Sequence, residues 1–189
     1  MKITDDLITR TKKGERKAQF ELYRECYGLM MKICLRYQKD NDSAKDLVNQ
    51  AFLKICSNID QFNGSAPFEQ WMKRVTINMC IDEYRKNKTR NEVTDLQNFG
   101  EEFWSAKVTA SNEGSQSMDA ESLRSLIRSL PSVSQKVFNM AVLDGFPYNE
   151  VAKSIEISEA TCRWHVHFAR KTLQTMLKKS MNTLTTVLL

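Results

Sequence analysis

Three amphipathic stripes follow one another between Leu130 and Leu173, and their spacing leaves this segment one local fold. Leu130-Pro131 opens a helix in which Val133, Val137, Met140, Ala141 and Leu143 recur at helical intervals, and Asp144-Gly145 with Pro147 stops it. A second helix begins near Tyr148, with Val151, Ala152 and Ile155 as its apolar stripe; Ala152 is small enough to let another helix come close. A sharp turn through Glu156 and Ile157 leads to Ser158, whose hydroxyl can accept a hydrogen bond from an unpaired N–H in the first turn of a third helix. In that helix Cys162, Val166, Ala169 and Leu173, spaced by four, three and four, form the inward face. The unit is a helix-turn-helix whose second helix turns a polar, basic face outward.

That outer face has the chemistry a helix needs in a major groove. Arg163 can bond guanine O6 and N7 bidentately, worth about 1–3 kcal/mol of discrimination when aligned. Trp164 and His167 can press on thymine methyls or sugar edges, and Thr161, Arg170 and Lys171 can hold phosphates beside the capping Ser158. Burial of Trp164 against the preceding helix is the competing reading. A metal pair at His165 and His167 is disfavoured, because side chains two apart on a helix diverge by about 200°.

Charge is distributed in blocks. Residues 1–90 carry 18 basic and 12 acidic side chains, residues 91–121 carry Lys107 against seven acids, and residues 122–189 carry nine basic against four acidic. Two basic ends around an acidic middle suit a protein that touches a polyanion with both ends. Cys26, Cys34, Cys56, Cys80 and Cys162 are odd in number, lack a C-x-x-C pair and fall mostly at apolar helical positions, so they read as small buried hydrophobes in a reducing cytoplasm. The polar start Met1-Lys2-Ile3-Thr4-Asp5-Asp6 predicts no signal peptide, and no apolar run approaches the roughly 18 residues of a membrane span.

Strand signals are nearly absent. A short helix around Leu7 and Ile8 precedes a long one with Phe20, Tyr23, Tyr27, Met30, Cys34 and Tyr37 on its apolar face. Asp40-Asn41-Asp42-Ser43 breaks it, and Ala44, Leu47, Val48, Ala51, Phe52 and Ile55 mark the next helix, with Lys45, Asp46, Asn49 and Gln50 opposite. A loop over residues 60–67 containing Asn63-Gly64-Ser65 leads to a helix with Phe68, Met72, Val75 and Met79 on one face, and a basic tract over residues 84–90 ends the unit. Residues 91–118 hold no sustained period and read as a flexible linker, although Phe99, Phe103 and Trp104 are unusual in one and predict an anchor. The expectation is an all-α chain of two small helical domains joined by a flexible acidic linker, with residues 1–90 as the first domain, 91–121 as the linker, 122–180 as the second domain and 181–189 as an apolar tail.

These residues resemble the sigma-70 family of bacterial transcription initiation factors, in its extracytoplasmic function group. Residues 41–55 resemble region 2.2, residues 68–82 followed by Arg85 resemble regions 2.3 and 2.4, and residues 130–173 resemble region 4. The resemblance implies a subunit that binds core RNA polymerase through the β′ clamp helices and the β flap, melts and reads a −10 element with the first domain, and reads a −35 duplex with the second. It places core-polymerase contacts at Asp46, Asn49 and Gln50. It places a pocket for a melted base at Asn63, Gly64, Ser65 and Phe68, with Asn78 reading an adjacent base, while Lys73, Arg74, Arg85 and Lys86 can neutralise the strand. Phe68 and Trp71 as core, with the basic side chains as a solvated face, is the alternative.

The resemblance also implies control by an anti-sigma protein, no cofactor, no metal, no membrane insertion and a cytoplasmic location. The linker acids, among them Glu92, Asp95, Glu101 and Glu102, would imitate nucleic acid or serve solubility alone. Three departures bear on function. Asn49-Gln50 stands where relatives usually have Gln-Glu, Glu156 stands where the turn usually holds Gly, and Trp164, His165 and Phe168 occupy positions often small or basic. A free-standing helix-turn-helix regulator is the main alternative function. An enzyme is disfavoured, since no metalloprotease motif, carboxylate cluster or phosphate-binding glycine loop occurs.

Overall fold

The computed structural model describes residues 3–38, 40–91 and 120–187, and among them every regular element is helical. The first unit contains α1 (Asp5–Lys12), α2 (Arg16–Tyr37), α3 (Asn41–Ser57), a short 3-10 turn (Ile59–Gln61) and α4 (Phe68–Asn91). The second contains α5 (Ala120–Arg128), α6 (Ser132–Phe138), a π-helical turn (Asn139–Leu143), α7 (Tyr148–Ile155) and α8 (Glu159–Val187). Residues 92–119 of the predicted linker, with its aromatic anchor Phe99, Phe103 and Trp104, lie outside the described residues, while Asn91 ends α4 and Ala120 and Glu121 open α5.

Local chemistry sets the helix ends. The Thr4 side chain accepts from the Leu7 amide at 3.2 Å, with Asp5 and Asp6 in the first turn of α1 where the helix dipole favours negative charge. Asp40 caps α3 by accepting from the Ser43 amide at 2.8 Å, and its bonds to Ser43 hold the carboxyl below the usual range. At the other end α3 closes on Asn58, whose amide donates to the Lys54 and Ile55 carbonyls at 3.1 and 3.3 Å.

Packing rotates two of the expected stripes. Phe20, predicted inside, is 64 % exposed; the buried line of α2 is Ala18, Leu22, Cys26, Met30, Ile33, Cys34 and Tyr37. Small Ala18 and Cys26 let α2 lie close to α1, α3 and α4, which displaces Tyr23 and Tyr27 to the margin. Tyr23 packs edge-on against Phe52, and its hydroxyl reaches Asn49 Oδ1 at 2.9 Å, the partner a half-buried phenol requires. On α4 the buried line is Phe68, Met72, Thr76, Ile77, Cys80 and Ile81, so predicted Val75 and Met79 flank the core. Leu143 is also displaced, at 43 % exposed. The π turn closes with an Asp144 N–H to Asn139 carbonyl bond of 2.9 Å, and its extra residue turns Leu143 off the stripe.

The two units share one core. Val137, Met140, Val151, Ala152, Ile155, Cys162 and Val166 belong to the same buried cluster as the residues of α1 to α4. Asp144 accepts from Arg36 Nη2 at 2.5 Å and from the Tyr37 hydroxyl at 2.8 Å. A helix ends with carbonyls that lack intrahelical donors, and here the second unit supplies them. Arg128 Nε donates to the Leu35 carbonyl at 3.2 Å, while Gln135 Nε2 and Asn139 Nδ2 donate to the Arg36 carbonyl at 3.3 and 2.8 Å.

All five cysteines are free; Cys26, Cys34, Cys80 and Cys162 are buried and Cys56 is partly so. Burial pushes the Cys26 thiol up to about 12, and the Cys80 thiol is raised by its hydrogen bond with Cys34 together with burial. These are packing groups held as thiols.

Glu156 ends α7 in the left-handed conformation, at φ 63° and ψ 47°, and the following Ile157 amide returns to the Ala152 carbonyl at 3.0 Å. A side chain there is strained relative to glycine. Glu156→Gly should therefore raise stability by about 0.5–1 kcal/mol in urea unfolding, since the exposed Glu156–Arg85 pair it removes spans 3.7 Å and is worth little. An unchanged or lower midpoint would contradict this.

Candidate nucleic-acid interface

The turn through Glu156 aims α8. Ser158 Oγ accepts from the Thr161 amide at 3.0 Å and lies 2.8 Å from Thr161 Oγ1, so both predicted residues serve the helix N-terminus. Cys162, Val166, Ala169 and Leu173 are buried as the spacing predicts. Thr161, Arg163, Trp164, His167, Arg170 and Lys171 are all exposed, which brings the whole predicted duplex-reading set onto one open flank of α8.

Within that flank the aromatic residues are organised. Trp164 is 54 % exposed, against its predicted alternative of burial, and stacks on Phe168 at 5.3 Å with an interplanar angle of 14°. His165 turns the other way, buried, with Nδ1 2.9 Å from Ser134 Oγ, so it and His167 diverge. Burial lowers the His165 pKa from its ordinary 6.5. The folded state thus prefers the neutral ring. Its contribution to stability is complete above about pH 6.5 and is lost as pH falls toward the lower folded value. Replacing His165 by Gln should flatten the stability profile across that window in unfolding series at successive pH values.

Sequence reasoning missed Tyr148. The Arg163 guanidinium carbon lies 4.7 Å from the Tyr148 ring centroid, with Glu159 Oε2 3.4 Å from Nη2. Stacking occupies the face of a guanidinium and leaves its edge donors in the plane, which is the geometry a bidentate guanine contact uses. An aromatic residue at the start of α7 was the only available signal.

The first unit presents its predicted residues in three places. Asp46, Asn49 and Gln50 are exposed on α3, where Leu53, 69 % exposed, adds an apolar side chain to the surface of the same helix. Asn63, Gly64 and Ser65 are exposed on the loop; Asn63 Oδ1 accepts from the Ser65 amide at 3.0 Å around Gly64, whose φ of 73° suits glycine. Together with Phe62 and the α1 residues Asp5, Ile8, Thr9 and Lys12, Asn63 and Gly64 line a cleft of about 340 Å³. Lys12 donates to the Phe62 carbonyl at 2.9 Å, a neighbour the sequence separation of 50 concealed.

Phe68 does not join that cleft. It is 6 % exposed, edge-on to Phe62 at 5.2 Å and tilted on Trp71 at 5.5 Å, so it is core beneath the loop rather than a stacking surface. Lys73 is 3.0 Å from Glu69, while Asn78 and Lys86 are exposed. Arg74 pairs with Glu150 of α7 and lies over the Phe146 ring at 5.3 Å. Arg85 donates to the Lys153 carbonyl at 3.2 Å and approaches Glu156 at 3.7 Å and Asp82 at 3.5 Å.

Tyr148→Ala should weaken discrimination by Arg163 between a cognate duplex and one altered at its guanine by roughly two- to fivefold, the scale of an exposed cation–π contact. Tyr148→Phe should retain it, and the effect should vanish in an Arg163→Ala background; competition binding with paired duplexes reads all three.

Residues 22–90 match sigma-70 region 2, and residues 120–173 match sigma-70 region 4. The ECF RNA polymerase sigma factor SigW of Bacillus subtilis strain 168 is 24 % identical over 178 residues, covering 90 % of this chain and 95 % of SigW. The ECF RNA polymerase sigma-E factor of Escherichia coli strain K12 is 27 % identical over 181 residues, covering 90 % and 93 %. The fold is similar to that of the sigma factor RpoE solved in complex with the anti-sigma factor NepR from Bartonella quintana, with a TM-score of 0.53, 20 % identity and coverage of 84 % of this chain and 97 % of that one. Two regions in the family's order, on helices that turn a basic and aromatic flank outward, place the chain: it belongs to the sigma-70 family of RNA polymerase sigma factors, in the extracytoplasmic function group.

Proposed function

We propose that the protein is a promoter-recognition subunit of bacterial RNA polymerase that binds the core enzyme, reads a −35 duplex with α8 and captures a melted −10 strand with the first unit. The observation that carries the assignment of α8 is its flank: Arg163, Trp164, His167, Arg170 and Lys171 are exposed together while the opposite face is buried. Arg163 reads a base edge, Trp164 supplies an apolar surface for thymine methyls, and Arg170 and Lys171 hold phosphates. The α8 N-terminus, with Ser158 and Thr161, faces the backbone.

In the first unit the loop of Asn63, Gly64 and Ser65 holds the unpaired base beside Phe62, at the cleft against α1. Asn78 reads beside it, and Lys73, Arg74, Arg85 and Lys86 neutralise the strand. Asp46, Asn49 and Gln50 meet the polymerase clamp, and the second unit meets the flap. The protein carries out no covalent reaction of its own, works in the cytoplasm and answers to an anti-sigma protein; the sigma factor RpoE of similar fold was solved in complex with the anti-sigma factor NepR. No helix among the described residues is long and apolar enough to cross a membrane.

Transcription by purified bacterial core polymerase on fragmented DNA from the source genome tests the reading. Discrete new start sites should appear only when the protein is added. At promoters sharing an upstream element, Arg163→Ala should lower output by roughly tenfold, within the range of one bidentate base contact, without moving the start. Binding of duplex DNA by the protein alone, with no new starts, would instead favour a free-standing regulator.

A further inference from the structure

We infer that Asp5 of α1 is a base-discriminating residue of the strand site, accepting from the exocyclic amine of the captured base and rejecting thymine. This rests on the reading that the loop of Asn63, Gly64 and Ser65 takes that base. Residues 5, 8, 9 and 12 follow helical spacing, which sets them on one face of α1, and that face walls the cleft of about 340 Å³ beside the loop. The loop therefore forms only half of the site. The other half comes from α1, whose Lys12 meets Phe62 across a separation of 50 residues.

Acceptors and donors are segregated in this cleft. The Asp5 carboxylate makes no hydrogen bond or ion pair among the described residues, unlike neighbouring Asp6, which lies 3.6 Å from Arg10. The Thr9 hydroxyl donates its proton to the Asp5 carbonyl at 2.8 Å, so toward a ligand it acts as an acceptor. Donors gather at the loop. Asn63 Oδ1 is engaged by the Ser65 amide at 3.0 Å, which leaves the Nδ2 protons to a ligand. Lys12 spends one of its ammonium protons on the Phe62 carbonyl at 2.9 Å and keeps the others. Ile8, 6 % exposed, and Phe62 supply the apolar lining against which a base ring can pack.

A carboxylate beside a phosphodiester strand repels it, so Asp5 opposes binding there unless a base donor meets it. Cytosine, adenine and guanine each bring an exocyclic amine to that carboxylate, together with a ring nitrogen or carbonyl to which Lys12 or Asn63 can donate. Thymine has no amine. Its single Watson–Crick donor, N3–H, lies between two carbonyl oxygens, and these would face the Asp5 carboxylate and the Thr9 lone pairs. Attraction for an amine and repulsion of the carbonyls therefore act in the same direction, against thymine.

The test uses the full chain assembled with core polymerase and single strands carrying the −10 element of a mapped promoter, each base replaced in turn by the other three. Competition fluorescence anisotropy reads the preference. At one position the wild-type protein should favour cytosine over thymine by roughly tenfold, the scale of one hydrogen bond to a charged group. Asp5→Asn should abolish that preference by raising affinity for thymine, since an amide can donate to a thymine carbonyl. Asp6→Asn removes the same charge from the first turn of α1 but lies outside the cleft, and should leave every preference in place. Acceptance of thymine at every position by the wild type, a preference that survives Asp5→Asn, or one that Asp6→Asn abolishes equally would each overturn the inference. Lys73→Ala/Lys86→Ala tests the underlying reading and should weaken all strands alike. A loss there with Asp5→Asn inert removes only the role of Asp5, whereas no change in either variant removes the strand site with it.

Discussion

The bond from Asp144 to Arg36 and Tyr37 joins residues 107 and 108 apart in sequence and decides how the rest of the molecule is arranged. A carboxylate at 8 % exposure has lost most of its hydration and needs charged and hydroxyl donors in return, which makes the pairing selective for one geometry. The neighbouring caps follow the same logic. The end of α2 has carbonyls to satisfy, and the second unit brings an arginine, a glutamine and an asparagine to them. Apolar packing brings the units together; these directional bonds fix their register.

The π turn links this register to the helix-turn-helix. One extra residue between Asn139 and Leu143 swings Asp144 toward α2 and releases Leu143 to solvent. The chain then reverses through Gly145, at φ 75°, into α7. At the other end of α7, Glu156 accepts left-handed strain and sets the angle at which α8 departs. A glutamate in place of glycine there gives up some stability, and it also supplies an anion near Arg85. The same residue thus shapes the turn and contributes to the seam.

Periodicity made much of the interface legible. The four, three, four spacing of Cys162, Val166, Ala169 and Leu173 identified the buried face of α8, and the open flank followed by subtraction. It was less reliable where several helices compete for one helix. On α2, aromatic Phe20, Tyr23 and Tyr27 looked like core because they are large, yet small Ala18 and Cys26 face inward since close approach to α1, α3 and α4 excludes bulk. Phe68, which the resemblance placed in the pocket for a melted base, is held in the core by Phe62 and Trp71, as its place on the apolar face of α4 allowed. Tyr148 under Arg163 and Lys12 beside Phe62 were hidden because side-chain neighbours across a turn or a bundle leave no period in the chain.

The sequence by itself determined the helices, their caps, the buried line of α8 and the two-region order of the family, because these depend on residues within a few turns of one another. It also carried a sharp turn at Glu156, whose place is set by the helices on either side and whose left-handed backbone the structure shows. Only the tertiary structure decided that the units share a core, that Arg74 and Arg85 meet acids and a carbonyl of the second unit, and which face of α2 is inside. Those outcomes turn on which surfaces meet, and surface pairing across long separations, as in the Arg74–Glu150 contact 76 apart, is a property of the packed chain rather than of any local pattern.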